Sequence, residues 1–263
     1  IVAMVVSVNS AYAVTERGLV NQNIGISASN ATDAATAGVK VSDFAANATV
    51  SSCVPVILYF SRGSGDTPGL GPVGETLRNS LKAATAERSA AVFNDYPAVS
   101  VWDAAVVHDH YTASVTQGIA TALVDLQGLA SRCPTSKIVV GGYSQGAEVT
   151  RYAIAQLTPA VQQHITAVIL FGDTWFNPQE ANVTKIGGFS PTLKGLHYPN
   201  TLPASLFDWL YKTYPFAAKA FPVSLRGKIF SFCHAGDIVC QADGHSQVDP
   251  HLTYNQDNST NQA

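Results

Sequence analysis

The chain has 263 residues, of which 46% are hydrophobic, so it is long enough to bury a sizeable core in one large α/β domain or two small ones. Only 13% of the residues are charged, the formal net charge is −3, and the lysines and arginines are scattered along the chain. We expect no nucleic-acid partner, because no basic patch is present that could displace the counterions of a phosphate backbone.

The first 52 residues differ in composition from the rest. Residues 1–13 are mostly apolar and end in a small-x-small pattern, which is typical of the end of a signal peptide, and a buried strand is the alternative. Residues 14–52 are rich in Ala, Ser, Thr and Asn, which predicts a low-complexity spacer. We expect the folded domain to span residues 53–254, followed by a polar tail over 255–263. No run is long and apolar enough to predict a transmembrane span.

The four cysteines indicate disulfide bonds. An even number fits two bridges with three alternative pairings, and the CxxC spacing typical of zinc ligands is absent. Disulfides form in oxidising compartments, so together with the apolar start they predict a secreted, extracellular protein. The residues concerned are Cys53, Cys133, Cys233 and Cys240.

Apolar runs of strand length alternate with amphipathic runs of helix length along the domain. The predicted strands are Val54–Phe60, Val99–Val107, Lys137–Gly142, Ala167–Phe171 and Lys228–Phe232. The predicted helices are Val73–Ala84, Thr112–Ser131 and Gln145–Leu157. Buried strands that alternate with helices predict an α/β fold with a central, mostly parallel five-stranded sheet and helices on both faces.

The strongest chemical signal is Gly142-Tyr143-Ser144-Gln145-Gly146, a G-x-S-x-G motif between a predicted strand and a predicted helix. This is the context of a nucleophile elbow, in which the serine lies on a strained turn and the following helix points its amides at developing negative charge. The alternative is a plain strand-to-helix turn in which Ser144 caps the helix.

A nucleophilic serine needs a base and an acid that orients the base, and in α/β-hydrolases the chain order is Ser, acid, His. Spacing alone does not choose among the downstream histidines at 164, 197, 234, 245 and 251, or among Asp237, Asp243 and Asp249. Asp237 lies in a short loop between two cysteines, which would hold a carboxylate rigidly. Asp173, directly after the fourth predicted strand, is another candidate acid.

Several segments, in order, resemble the cutinase family over most of residues 53–254. They are Arg62-Gly63-Ser64-Gly65, the G-x-S-x-G pentapeptide, Cys133-Pro134, Cys233…Gly236-Asp237-Ile238-Val239-Cys240, and Pro250-His251-Leu252-Thr253-Tyr254. The resemblance implies the α/β-hydrolase fold and a triad of Ser144, Asp237 and His251. It also implies an oxyanion hole made by Ser64, through its hydroxyl and backbone N–H, and by the backbone N–H of Gln145.

The resemblance further implies Cys53–Cys133 and Cys233–Cys240 disulfides. The serine mechanism is expected to need neither a cofactor nor a metal. Each role has an alternative. For Asp237, the alternative is that it only stabilises the disulfide loop. For the base, the alternative to His251 is His234 or His245, and for Ser64 it is a purely conformational role in the turn. His108 and His110 have the spacing of a zinc pair but lack an evident third ligand.

The expected function is that of a monomeric, secreted serine carboxylic ester hydrolase that acts on cutin, lipid or acylated polysaccharide through an acyl-enzyme on Ser144. The alternatives are an acetylxylan esterase and a non-catalytic relic of the fold. The aromatic-rich insertion Trp175–Arg226 is long for a connection. We hypothesise that Ala204–Phe221 forms an apolar flap beside the site, with a buried structural elaboration as the alternative.

Overall fold

Six parallel strands form the central sheet, in the order β2-β1-β3-β4-β6-β5. The computed structural model describes residues 53–86, 88–101, 108–198, 216–243 and 245–263. The predicted signal peptide and spacer lie outside these residues. The strands are β1 (Val56–Ser61), β2 (Ser89–Phe93), β3 (Lys137–Tyr143), β4 (Ile165–Phe171), β5 (Val183–Ile186) and β6 (Ile229–Phe232).

Helices cover both faces of this sheet, as predicted for an α/β fold. On β1, Ile57 and Tyr59 pack into the core cluster that contains the helices after β2 and β3, whereas Leu58 and Phe60 pack towards the helix after β1. This alternation follows from the two-residue period of a strand buried on both sides. The helices are α1 (Gly71–Ala84), α2 (His108–Arg132), α3 (Gln145–Gln156), α4 (Pro159–Gln162) and α5 (Ser259–Gln262), with 3-10 turns at Val223–Leu225 and Asp249–Thr253.

The predicted strand over Val99–Val107 is wrong for its described part, residues 99–101, which are not in a strand. The strand lies earlier, at β2. It is an edge strand, and its sequence, SAAVF, has only two large apolar side chains, two of its five residues being buried. The four-residue β5, at the opposite edge of the sheet, lies within the insertion predicted over Trp175–Arg226 and was not predicted as a strand. The sheet therefore has six strands, and not the five predicted.

Two disulfides connect the elements, and they are the pairs that the resemblance implied. Cys53–Cys133 joins the start of the domain to the end of α2. Cys233–Cys240 closes a short loop directly after β6. Among the described helices, none is long and apolar enough to cross a membrane.

A buried tyrosine–carboxylate pair ties β1 to α2. The Tyr59 hydroxyl donates to Asp125 Oδ2 at 2.9 Å, and both side chains are buried. Burial raises the pKa of Asp125 to about 6, and the hydrogen bond from Tyr59 and the nearby charge of Arg132 only partly oppose this rise. Ionised Asp125 at neutral pH therefore costs folding free energy.

Replacing this carboxyl by an amide tests that cost. Because the folded pKa lies above the ordinary value, the contribution of Asp125 to stability is full below pH ~4 and is lost as the pH rises through ~6. In urea titrations at pH 7.5, we expect the free energy of unfolding of Asp125→Asn to exceed that of the parent by up to about 3 kcal/mol. Near pH 4 the two proteins should have the same stability. Glu75→Gln, at a half-buried position on α1 where the carboxylate pairs with Arg78, should show no such pH dependence. A variant that is less stable than the parent at pH 7.5 would contradict this reasoning.

Candidate active site

Ser144 lies on a strained turn between β3 and α3. Its backbone has φ 55° and ψ −121°, a region that residues with a side chain rarely adopt. Glycine is required on both sides. A Cβ at Gly142 would lie 2.2 Å from the Gly146 carbonyl oxygen, and one at Gly146 would lie 2.0 Å from the Ser61 carbonyl oxygen. The turn therefore has the geometry of a nucleophile elbow, and it brings α3 against the end of β1.

The carboxyl ends of neighbouring strands bring the predicted triad residues to one edge of the sheet. The Ser144 N–H donates to the carbonyl oxygen of Phe171, the last residue of β4, at 2.9 Å. A Cβ on the next residue, Gly172, would lie 2.5 Å from His251 Cε1 and 3.3 Å from Asp237 Oδ2. The turn that carries Ser144 and the Asp237–His251 pair thus meet at the end of β4.

Asp237 and His251 form a buried hydrogen-bonded pair. His251 Nδ1 lies 3.0 Å from Asp237 Oδ2, which assigns the proton to Nδ1 because an ionised carboxylate only accepts. The ring of Tyr143 stacks on the imidazole with centroids 4.9 Å apart, and the Tyr143 hydroxyl donates to the His251 carbonyl oxygen at 2.8 Å. His251 Nε2 has no hydrogen-bond partner among the described residues.

The surroundings of Asp237 keep it ionised. Its Oδ1 accepts the N–H of Val239 at 2.8 Å, and its Oδ2 accepts the Tyr254 hydroxyl at 2.7 Å in addition to His251. Burial by itself raises the pKa of Asp237, but the charge of His251 and these hydrogen bonds outweigh it. The pKa of Asp237 therefore lies below its ordinary value.

Ser64 lies near the elbow, but its hydroxyl is engaged elsewhere in this structure. It donates to the Val99 carbonyl oxygen at 2.9 Å and accepts the Val101 N–H at 2.7 Å. A hydroxyl has one proton, so it has to turn away from Val99 before it can donate to an oxyanion. The Gln145 N–H is the first of α3 and has no acceptor within that helix. The buried Gln145 side chain accepts a hydrogen bond from the Ser114 hydroxyl at 3.2 Å.

Two further residues shape the loop that carries Ser64. The Arg62 guanidinium is buried and donates to the carbonyl oxygen of Asp66 and to carbonyl groups in residues 94–97, including Tyr96 at 2.5 Å. The Asp66 carboxylate accepts the Gly63 N–H at 3.0 Å. Asp66 was not predicted to have a role, although its position two residues after Ser64 was the available signal.

The alternative acid and bases are placed differently. Asp173 forms a buried ion pair with Arg151, with 2.6 Å between Oδ2 and the guanidinium. The His234 ring nitrogens lie 2.8 Å from the Pro250 carbonyl oxygen and 2.8 Å from Asp257 Oδ2. His245 is exposed.

The remaining candidates concern other histidines and metal binding. His197 is buried, with Nδ1 3.2 Å from Glu148 Oε1. His110 is exposed, and the side chain of His108 lies outside the described residues. The residues that the structure describes contain no cluster of three His, Cys, Asp or Glu side chains that could hold a metal ion.

The predicted flap lies largely outside the described residues, which resume at Phe216. The described end of this segment is anchored to α3. The Tyr152 hydroxyl donates to the Ala217 carbonyl oxygen at 2.8 Å, and Arg151 donates to the Lys219 carbonyl oxygen at 3.1 Å. The same guanidinium lies 4.4 Å above the ring of Phe221.

Comparison with known proteins gives consistent relatives. Carboxylesterase Culp1 of Mycobacterium tuberculosis is 31% identical over 212 residues, which cover 80% of this chain and 79% of that protein. A cutinase of Hypocrea jecorina is 32% identical over 210 residues, covering 79% of this chain and 64% of that protein. A solved acetyl xylan esterase superposes with a TM-score of 0.61 at 25% identity, covering 81% of this chain and 96% of that one. For a Trichoderma reesei cutinase in complex with a phosphonate inhibitor, the TM-score is 0.52 at 26% identity, covering 80% of this chain and 73% of that one.

A parallel sheet covered on both faces, with a serine on a strained strand-to-helix turn, defines an α/β-hydrolase of the serine ester hydrolase class. The family model for cutinases matches residues 52–263. The chain belongs to the cutinase family, and it is a serine carboxylic ester hydrolase.

The contact between Gly146 and β1 predicts a sharp effect of one methyl group. In Gly146→Ala the new Cβ would lie 2.0 Å from the Ser61 carbonyl oxygen, so the elbow has to move away from β1. We expect kcat/KM to fall by roughly 100-fold, because a displacement of about 1 Å at a reacting group has that effect. The control is Gly128→Ala on α2, where the Cβ would meet only the flexible end of Arg132. Activity of Gly146→Ala within threefold of the parent would refute the steric argument.

Proposed function

We propose that Ser144, Asp237 and His251 form the catalytic triad of a secreted esterase that prefers esters with apolar acyl chains. The observation that carries the triad is the buried hydrogen bond between His251 Nδ1 and Asp237 Oδ2, located at the strand edge where Ser144 lies on its strained turn. The intact set of three also argues against a non-catalytic relic of the fold.

In the proposed reaction, His251 Nε2 takes the proton of Ser144 as the serine oxygen attacks the ester carbonyl. Asp237 remains ionised and holds the other nitrogen as N–H, so Nε2 is the basic one. The oxyanion accepts hydrogen bonds from the Gln145 N–H and from Ser64, once the hydroxyl of Ser64 has left Val99. His251 then donates its proton to the leaving alcohol, and afterwards it activates the water that hydrolyses the acyl-enzyme.

The apolar acyl preference rests on the surface around this site. Among the described residues, four large hydrophobic side chains are markedly exposed. Two of them belong to the loop of His251, and a third contacts Ser64 of the proposed oxyanion hole. Val101 donates its N–H to Ser64, Leu252 follows His251, and Val248 accepts the N–H of His251 through its carbonyl group. A cluster of exposed apolar side chains at one place is typical of a surface that binds an apolar partner.

A second candidate is removal of acetyl groups from xylan. The superposition with an acetyl xylan esterase favours it, since that structure matches over most of its own length. An acetyl group is too short to contact an apolar rim, so the two candidates differ in how the rate changes with acyl chain length. Secretion is proposed on the two disulfides, because such bonds persist in oxidising compartments.

An ester series tests the substrate proposal. We expect kcat/KM on p-nitrophenyl esters from acetyl to palmitoyl to rise from acetyl towards medium chains, because each buried methylene contributes about 0.8 kcal/mol. Leu252→Ser should reduce the rate on the longer chains while leaving acetate hydrolysis nearly unchanged. The matched control is Val223→Ser. Val223 is the fourth exposed hydrophobic residue, and it precedes the start of β6, whereas the site lies beyond the end of that strand. A rate that is highest on acetate and falls sharply thereafter would favour the deacetylase instead.

The nucleophile is tested with the same substrates. Ser144→Ala should lower kcat by roughly 10⁶-fold, since loss of a triad serine leaves only oxyanion and binding effects. It should also abolish stoichiometric labelling by an organophosphonate. Activity close to that of the parent in Ser144→Ala would rule out the proposed triad.

A further inference from the structure

Tyr254 is a buried side chain to which the proposed mechanism assigns no task. It follows His251 by three residues and is completely buried. Its hydroxyl lies 2.7 Å from Asp237 Oδ2, the same oxygen that accepts the Nδ1 proton of His251 at 3.0 Å. The Phe232 carbonyl oxygen is farther away, at 3.4 Å, so the single hydroxyl proton belongs to Asp237.

The hydroxyl of Tyr254 is held in direction as well as in position. It accepts the backbone N–H of His234 at 3.1 Å, which leaves its proton pointing to the carboxylate. The Tyr254 ring is stacked on the His234 ring with centroids 3.8 Å apart and an interplanar angle of 16°. His234 is itself held between the Pro250 carbonyl oxygen and Asp257. The donor is therefore rigid.

Asp237 is held equally tightly from its other side. Its Oδ1 accepts the Val239 N–H, and its loop is closed by the Cys233–Cys240 disulfide. Because Oδ1 is bound to the backbone, the remaining contact that orients Oδ2 is the hydrogen bond from the tyrosine hydroxyl. The same bond sets how strongly the negative charge on Oδ2 interacts with His251. A second donor on one carboxylate oxygen disperses the negative charge that the first donor experiences.

We propose that Tyr254 is a positioning residue of this esterase, which orients Asp237 and moderates the basicity that Asp237 confers on His251. The inference rests on the triad put forward above. Tyr254 touches neither substrate nor the reacting atoms, so its effect passes through Asp237 to the imidazole.

The pH dependence of such an effect involves every group around the imidazole. Asp237 contacts Nδ1, and the Tyr143 ring stacks on one face of the imidazole. The Tyr254 ring is perpendicular to the imidazole, with the two ring centroids 6.1 Å apart. Asp66, from the loop after β1, is close enough for its charge to interact with that of His251. Tyr254→Phe leaves all of these groups in place. It removes the second donor on Oδ2 and, with the same oxygen, the acceptor of the His234 N–H.

The test is Tyr254→Phe, with Tyr59→Phe as the matched control. Both variants remove a buried hydroxyl that donates to a buried aspartate, but Tyr59 contacts Asp125, on α2 and outside the site. Rates are normalised to the concentration of active sites titrated with an organophosphonate, so that loss of folded protein does not count. kcat and the pH profile of kcat/KM are measured on one soluble ester.

For Tyr254→Phe we expect kcat per active site to fall roughly tenfold, because Asp237 loses a charge-assisted hydrogen bond and only part of that loss appears in catalysis. The acidic limb of kcat/KM should move to higher pH by about half a unit, because the undispersed carboxylate holds the proton on His251 more strongly. Tyr59→Phe should lose stability but keep both kcat and the acidic limb.

A fluorinated tyrosine at position 254 provides a second variant that keeps the packing if Tyr254→Phe folds poorly. Its more acidic hydroxyl donates more strongly, so the acidic limb should move to lower pH. The inference would be overturned if, in the variants that fold, the midpoint of the acidic limb stays within about 0.1 pH unit of that of the parent. Ser144→Ala separates the two hypotheses. Parent-like activity of Ser144→Ala refutes the triad itself, whereas a strongly impaired Ser144→Ala with an unaffected Tyr254→Phe refutes only the role of Tyr254.

Discussion

The first turn of α3 lies directly against the carbonyl groups of Ser61 and Arg62, and only a glycine at position 146 permits this approach. Three consequences follow from the contact. The serine before the helix is forced into its strained conformation, the first amide of α3 faces the site, and the loop with Ser64 begins next to it. The proposed nucleophile and oxyanion donors are thus positioned by backbone atoms, which lose little freedom when a substrate binds.

The carboxylate–imidazole pair depends on a different balance. Burying an ionised carboxylate costs several kcal/mol, and Asp237 is fully buried. Three donors offset this cost, and each bond to a charged group contributes about 1.5–3 kcal/mol. Asp237 can therefore stay charged beneath His251 at neutral pH. The same charge in a partly exposed loop would be screened by water and would support the imidazolium less.

Helix α3 links the site to the aromatic-rich insertion. Glu148 receives the Trp175 indole N–H at 3.2 Å and the Tyr111 hydroxyl at 3.1 Å, and one turn later Arg151 binds Asp173 and Glu180. Removing one partner of a buried ion pair typically costs 3–5 kcal/mol, so this attachment is firm. The helix that begins after Ser144 also holds the end of the segment beyond Phe216.

The central strands and long helices were predictable from the sequence, because they bury apolar side chains in runs with a clear period. β2 and β5 were not, since an edge strand of four or five residues carries too little apolar surface to be recognised. The elbow was predictable for a local reason. Its glycines and serine are adjacent in sequence, and the steric requirement acts over five residues.

The sequence by itself determined the α/β class, the elbow and the set of downstream acids and histidines, all of which depend on neighbours along the chain. Only the tertiary structure decided which of these meet. It pairs His251 with Asp237, assigns Asp173 to Arg151, turns the Ser64 hydroxyl towards Val99 and places Tyr254 on Asp237. These contacts join loops that follow different strands, so their distances depend on how the sheet and its helices pack. The spacing of the residues along the chain therefore does not predict them.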